Sequence, residues 1–232
     1  MIVAQKKNLV ANLKSDGTIV TETDLLVERH IRSKIEERYP EHGIIGEEFN
    51  DHQGNAVYTW VIDPIDGTTS YFHGTPLFGT LVGLLKEGQP IYGALRLPAL
   101  EQMVAGDGAR CVINGTEARA KNFESWGESL VLTSDERRME ESKFSASWDE
   151  LKKKGPTFRT WGDCYGYYLL CAGKADAMFD IHLKPCDILP LLPIVAGAGC
   201  KKIDFGVKPN SDLAVCVPGL ASEIANLFPK VG

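Results

Sequence analysis

Long apolar runs are missing from this chain, and that absence sets its first limit. No stretch nears the roughly 20 apolar residues that a membrane helix needs. The opening MIVAQKKNLV carries its charges after its apolar residues, the reverse of a secretory signal. The expected location is therefore cytoplasmic, with no membrane partner. Long basic runs are missing too. The longest, Lys152 to Lys154, suits a solvated helix end, and a net charge of −6 offers no polyphosphate-binding surface, so nucleic acid is not an expected partner. The six cysteines include no C-x-x-C pair, which argues against a zinc site or a disulfide frame and for reduced thiols packed in apolar segments. The five histidines, at 30, 42, 52, 73 and 182, lack H-x-x-x-H or H-E-x-x-H spacing, so an imidazole-based metal site is not expected, and His73 reads as a loop residue. G-x-S-x-G and Walker loops are absent, and with them those hydrolase triads and nucleotide kinases.

What is present suits a packed core. A chain of 232 residues, 44% apolar and 24% charged, can form one compact domain or two closely packed halves. VTETDLLVERHIRSKIEERYP sets Val27, Ile31 and Ile35 four apart, with Thr21 or Thr23 as cap and Pro40 as terminator, and predicts one amphipathic helix. IIGEEF and AVYTWVID predict strands, and Leu77 to Gly115 predicts an antiparallel meander parted by Glu87-Gly88, Pro98 and Asp107-Gly108. Beyond it, SLVLTS, ADAMFD and DLAVCVP predict strands. ESKFSASWDELKKKG, DCYGYYLLCAG, DILPLLPIVAGAG and LASEIANLF each predict a helix. Helices layered between sheets follow, with a junction near Ala118 to Glu128 separating an N-terminal α+β half (1–120) from a C-terminal α/β half (121–232).

The chemistry gathers at the end of WVIDPIDGTTSYF. A strand ending at Ile62 puts Asp63 at its C-terminal lip, Pro64 fixes a turn, and Asp66 points back toward Asp63. Two converging carboxylates repel unless a cation sits between them, and hard oxygen donors select Mg²⁺ or a similar ion. The Ile65 carbonyl can add a neutral oxygen. Gly67, Thr68 and Thr69 then supply close-approaching N–H groups and hydroxyls suited to a phosphate. Each feature also has a plainer use: Asp-Gly is a common turn, Glu47-Glu48 at a strand end is commonly solvated, and Asp24 and Asp187 stand where N-caps stand.

GEE at Gly46 to Glu48, WVIDPIDGTTSY at Trp60 to Tyr71, VTETD at Val20 to Asp24 and CDILPLLPIVAGAG at Cys186 to Gly199 together resemble the inositol monophosphatase family of Mg²⁺-dependent phosphomonoesterases. The resemblance implies an αβαβα layered sandwich, α/β with a mixed α+β first half, of the inositol monophosphatase and sugar phosphatase type. It implies that Glu47, Asp63, the Ile65 carbonyl, Asp66 and Asp187 hold two or three Mg²⁺ ions, that Asp24 and Thr68 position and deprotonate a water, and that Gly67, Thr68 and Thr69 hold the phosphate of a small metabolite.

Within the family, FHGTPLFGTL, GDCYGYYLLCAGKAD and LKPCD resemble the histidinol-phosphatase branch, which would place the chain in histidine biosynthesis. Asp163 and Asp180 would then face a cationic amino-imidazole leaving group, as charge complementarity favours. Their plainer uses are an N-cap and a strand-end turn, and Tyr165, Tyr167 and Tyr168 read as helix-packing aromatics. The alternatives are an inositol-1-phosphate phosphatase and a truncated, weakly active metal-binding or interaction subunit. Only 19 residues precede Val20, where most family members have a long amphipathic helix, so either a partner in a homodimer, the expected state, covers the surface that helix would cover or stability suffers. Cys186 stands where the branch often has an aromatic residue, and Cys200 replaces the second glycine of the usual Ala-Gly-Gly.

Overall fold

The computed structural model describes residues 11–13, 19–52 and 57–231. β1 (Ala11–Leu13) pairs antiparallel with β2 (Ile19–Thr21), and Thr21 caps α1 (Glu22–Arg38). Thr21 rather than Thr23 takes the cap because Asp24 sits three residues on and its carboxylate accepts the Thr21 N–H at 2.8 Å, a reciprocal arrangement that satisfies two helix-end donors. From α1, Ile31 and Ile35 pack against Ile44, Trp60 and Ile62.

The first sheet has seven strands in sequence order: β3 (Gly43–Gly46), β4 (Tyr58–Asp66), β5 (Gly79–Lys86), β6 (Gln89–Leu97), β7 (Gln102–Gly106), β8 (Cys111–Ile113) and β9 (Thr116–Glu117). Only β3 and β4 pair in parallel, so the expected meander is present. Between β4 and β5 lies the single-turn α2 (Thr68–Phe72). The second sheet runs β11 (Thr157–Arg159), β10 (Leu130–Thr133), β12 (Ala177–Asp180), β14 (Leu213–Cys216), β13 (Lys201–Asp204). Its helices are α3 (Glu136–Glu140), α4 (Ser145–Lys153), α5 (Asp163–Cys171), α6 (Pro185–Ile188), α7 (Leu191–Gly197) and α8 (Ala221–Leu227).

Two buried clusters stack these into layers. One joins Leu81, Leu95 and Val104 of the first sheet to Leu132, Met178 and Val215 of the second through Leu170 of α5 and Leu191 and Ile194 of α7. The other packs Val131, Phe179 and Cys216 against Trp148 and Leu151 of α4 and Ile224 of α8. With α1 on the far side of the first sheet, the order is helix, sheet, helix, sheet, helix. Each such side chain contributes roughly 1.5–3 kcal/mol by leaving water. The middle layer comes close because β5, β6 and β7 present glycine at matched positions, Gly83, Gly93 and Gly106. A Cβ on Gly93 would lie 1.8 Å from the Pro190 carbonyl oxygen, and one on Gly106 would lie 2.5 Å from the Ile194 Cα. That bed seats α7, and with it the preceding α6 that carries Asp187.

One expected helix is shortened and another is divided. ESKFSASWDELKKKG begins at Glu141, the cap that follows α3, and supplies only α4, because the Ser142 hydroxyl donates to the Met139 carbonyl at 2.8 Å and accepts the Phe144 N–H at 3.0 Å, replacing backbone pairing ahead of the helix. DILPLLPIVAGAG breaks between α6 and α7, where Pro190 has no N–H to continue the ladder. All six cysteines are buried and unpaired by disulfides.

Candidate active site

Residues 63 and 66 of a regular strand would point to opposite faces. Across β4 and β5, however, Asp63 faces Leu81 and Asp66 faces Gly79, so three steps on β4 match two on β5. The extra residue is a bulge, a place where a strand tolerates proline, and Thr80 secures it by donating its hydroxyl to the Pro64 carbonyl at 2.8 Å. Both aspartates therefore turn into one cleft of about 240 Å³.

Gly67 redirects the chain out of β4. Its φ of +83° lies in the left-handed region, and a Cβ there would lie 2.7 Å from the Leu77 carbonyl and 3.2 Å from Asp163 Oδ2. Gly67→Ala should combine the left-handed penalty with this clash, about 2 kcal/mol or more, and lower Tm by roughly 4–8 °C. Differential scanning fluorimetry checks it; an unchanged Tm would mean that the turn relaxes without cost. Beyond Gly67, the Thr68 hydroxyl donates to the Ile65 carbonyl at 2.8 Å and lies 3.4 Å from Asp24 Oδ1. Asp24 is fully buried behind Thr68, with its other oxygen held by Thr21.

Glu47 follows β3 on a loop clamped from α1. Buried Glu28 accepts the Glu48 N–H at 2.8 Å, the Phe49 N–H at 3.3 Å and the Arg32 guanidinium at 2.7 Å. Arg32 in turn donates to the Phe49 carbonyl at 3.1 Å. Asp187 occupies the third position of α6, where its Oδ2 accepts the Lys184 N–H at 2.8 Å. Asp24 and Asp187 thus stand at the third position of their helices and accept the N–H of the cap residue rather than being N-caps, and each commits one oxygen to its helix end.

Asp163 opens α5 one residue after its cap Gly162, with φ +50°, and its N–H donates to Ser134 Oγ at 2.8 Å. The next N–H, of Cys164, donates to Asp66 Oδ2. Glu47, Asp63, Ile65, Asp66, Gly67, Thr68, Thr69, Asp163 and Asp187 all line the cleft. Asp180 does not. It lines an adjoining pocket of about 90 Å³ at the end of β12, where it accepts the Tyr167 hydroxyl at 2.9 Å and the Ser134 N–H at 3.2 Å. Tyr167 belongs to the core and Tyr165 and Tyr168 pack against it, in keeping with their reading as packing aromatics. Arg138, His182 and Lys184 also line the cleft, and none was singled out from the sequence. Lys184 lies inside the LKPCD string, whereas Arg138 sits on α3, a helix that the periodicity did not resolve.

Burial pushes the Asp63 carboxyl well above its usual range, and the charges of Glu47, Asp66, Asp187 and Asp24 push it further. Asp66 is raised in the same way, by burial and then by Asp163 and Asp187, against the opposing Cys164 N–H. Burial leads again in lifting Asp163 and Asp187 to about 6 and Asp180 to about 7, and it raises Asp24 against its Thr21 bonds. Among the described residues, no three Asp, Glu, His or Cys side chains close around one point as they stand. The donor set nevertheless fits a hard divalent cation: Asp63 Oδ1 is buried without any hydrogen-bond partner, and Glu47, Asp66, Asp187 and the Ile65 carbonyl line the same cleft with oxygen donors.

The inositol monophosphatase family model matches residues 2–227. Over 201 residues the chain is 33% identical to a histidinol-phosphatase of Chlorobaculum parvum, covering 86% of this chain and 78% of the relative. It is 37% identical over 190 residues to a chloroplastic bifunctional phosphatase of Arabidopsis thaliana, IMPL2, covering 80% of this chain and 54% of the relative. An inositol monophosphatase structure from Zymomonas mobilis superposes with a TM-score of 0.83 at 28% identity, over 98% of this chain and 91% of the other. The chain belongs to the inositol monophosphatase family, whose members are phosphoric monoester hydrolases.

Proposed function

We propose that the cleft hydrolyses a small phosphate monoester, with L-histidinol phosphate as the first substrate to try, and that Glu47, Asp63, Asp66, Asp187 and the Ile65 carbonyl hold two or three Mg²⁺ ions. The observation that carries this reading is the arrival of those residues at one cleft from three separate stretches of chain, next to the Gly67–Thr69 turn. Bound Mg²⁺ would supply neutralising charge and lower the pKa of a water ligand. Asp63, with an unpartnered buried oxygen, is placed to serve more than one ion. Gly67, Thr68 and Thr69 present N–H groups and hydroxyls to the phosphate.

The Thr68 hydroxyl, now given to the Ile65 carbonyl, turns to Asp24 when that carbonyl is engaged elsewhere. Asp24, raised above the usual carboxylate range, is then a competent acceptor for the proton relayed from the attacking water. Asp163, which lines the cleft, and Asp180, buried in the pocket beside it, favour a cationic leaving group. A homodimer in the cytoplasm remains the expected setting.

Phosphate release in Mg²⁺ from histidinol phosphate, inositol 1-phosphate and adenosine bisphosphate tests the reading. Histidinol phosphate should exceed inositol 1-phosphate by about tenfold or more in kcat/KM, the worth of one buried charge contact. A preference for inositol 1-phosphate would select the second reading, which the similarity to inositol monophosphatases favours. Silence on all three would overturn the hydrolytic reading.

A further inference from the structure

Lys184 is the N-cap of α6, immediately before Pro185, and its backbone is pinned by the N–H bond to Asp187 Oδ2 at 2.8 Å. The Lys184 side chain faces the cleft. It is 44% exposed and reaches across the cleft to Glu47, Nζ to Oε1 3.6 Å, while the Glu47 side chain is only 14% exposed. A cation thus lies against a carboxylate that the proposed function assigns to Mg²⁺. Lys184 lines the same cleft as the Gly67–Thr69 turn, so an ammonium that leaves Glu47 stays within the space a phosphate would enter. Its charge also reaches Asp187, where it opposes the effect of burial.

We infer that Lys184 is a resident counter-ion that competes with divalent cations for Glu47 and, once released from it, binds the phosphate dianion of the substrate. The inference rests on the divalent-cation reading of the cleft. The physical reason is that one ammonium cannot serve both partners. Without a divalent ion, Lys184 offsets Glu47 and lowers the cost of gathered negative charge. When Glu47 turns to a divalent ion, the ammonium is repelled by that ion and attracted by an incoming dianion. Lys184 therefore weakens metal binding and strengthens phosphate binding, two effects of opposite sign from one side chain. A residue that merely supports the fold would change both in the same direction.

The test uses the full-length protein at pH 7.5 as wild type, Lys184→Met and Lys184→Arg. Mg²⁺ affinity is measured by calorimetry, and inorganic phosphate is measured as an inhibitor of the Mg²⁺-loaded enzyme. Lys184→Met should bind Mg²⁺ on the order of tenfold more tightly and phosphate roughly tenfold more weakly, as removal of one nearby charge predicts. Lys184→Arg, which keeps the charge, should stay within about threefold of wild type in both. Unchanged or weaker Mg²⁺ binding by Lys184→Met overturns the inference, as does unchanged phosphate inhibition. Failure of the wild type itself to bind Mg²⁺ is a different result, because it removes the divalent-cation reading on which the inference stands.

Discussion

Asp63→Asn should reduce kcat/KM by about 10³-fold or more while leaving the metal-free protein at pH 7.5 as stable as wild type or more so. The two expectations share one cause. Asp63 sits where burial and four neighbouring acids all oppose its charge, and its Oδ1 has no partner within the protein. The amide keeps the volume and removes the charge, so repulsion with Glu47, Asp66 and Asp187 falls. Against this stands the cost of a buried amide lacking a full set of partners, about 1–3 kcal/mol. With Mg²⁺ present the balance reverses. Loss of one anionic oxygen donor should shrink the Mg²⁺-induced rise in Tm, which in the wild type would reach roughly 5–10 °C at an ion concentration 100 times the Kd. The loss of turnover corresponds to about 4 kcal/mol of transition-state stabilisation. Thermal melts with EDTA and with Mg²⁺, alongside steady-state kinetics, measure all of this. Near-normal turnover, or an undiminished Mg²⁺ shift, would contradict the metal role of Asp63.

The metal-free protein should also lose stability as pH rises from 5 to 7.5, whereas the Mg²⁺-loaded protein should not. Burial lifts the Asp163 and Asp187 carboxyls to about 6 and that of Asp180 to about 7, all above the ordinary 3.8. A raised carboxyl pKa means that the folded state holds protons the unfolded state has released. Its contribution is fully present below pH 3.8 and is lost as pH climbs through 6 to 7. Together the three groups account for about 5 kcal/mol between pH 5 and 7.5, a fall of roughly 10–20 °C in Tm. Mg²⁺ would bind the deprotonated carboxylates, so its stabilising effect should be larger at pH 7.5 than at pH 5. Melts with EDTA across this range, repeated at saturating Mg²⁺, decide the matter. A metal-free profile that is level or rises with pH would show that the acids are already neutralised by the protein's own cations.

Much of this was legible in the chain because it depends on near neighbours. Strand β4 follows from a β-branched and aromatic run, and α1 follows from Thr21, Asp24 and isoleucines four apart. The strand–Asp–turn–Gly–Thr–Thr order of the site needed no distant information either. Elsewhere local pattern misled for identifiable reasons. Ser142 delays the start of one helix that apolar periodicity had extended and Pro190 breaks another, the first through side-chain competition and the second through a missing N–H. Glu28 carried no site signal, since a glutamate on an amphipathic helix is ordinarily solvated. Only the fold shows it buried beneath the loop that carries Glu47.

By itself the sequence determined the elements, their layered class and the acids available to the site, because propensity, capping and turn chemistry act over a few residues. The tertiary structure alone decided which of those acids meet. The β4 bulge turns Asp63 and Asp66 to one side only against the β5 register, and the glycine bed under α7 brings Asp187 to them. The same packing sets Asp180 apart in a neighbouring pocket and lays Lys184 against Glu47. Those placements depend on contacts between residues far apart in the chain, and no local pattern encodes such distances.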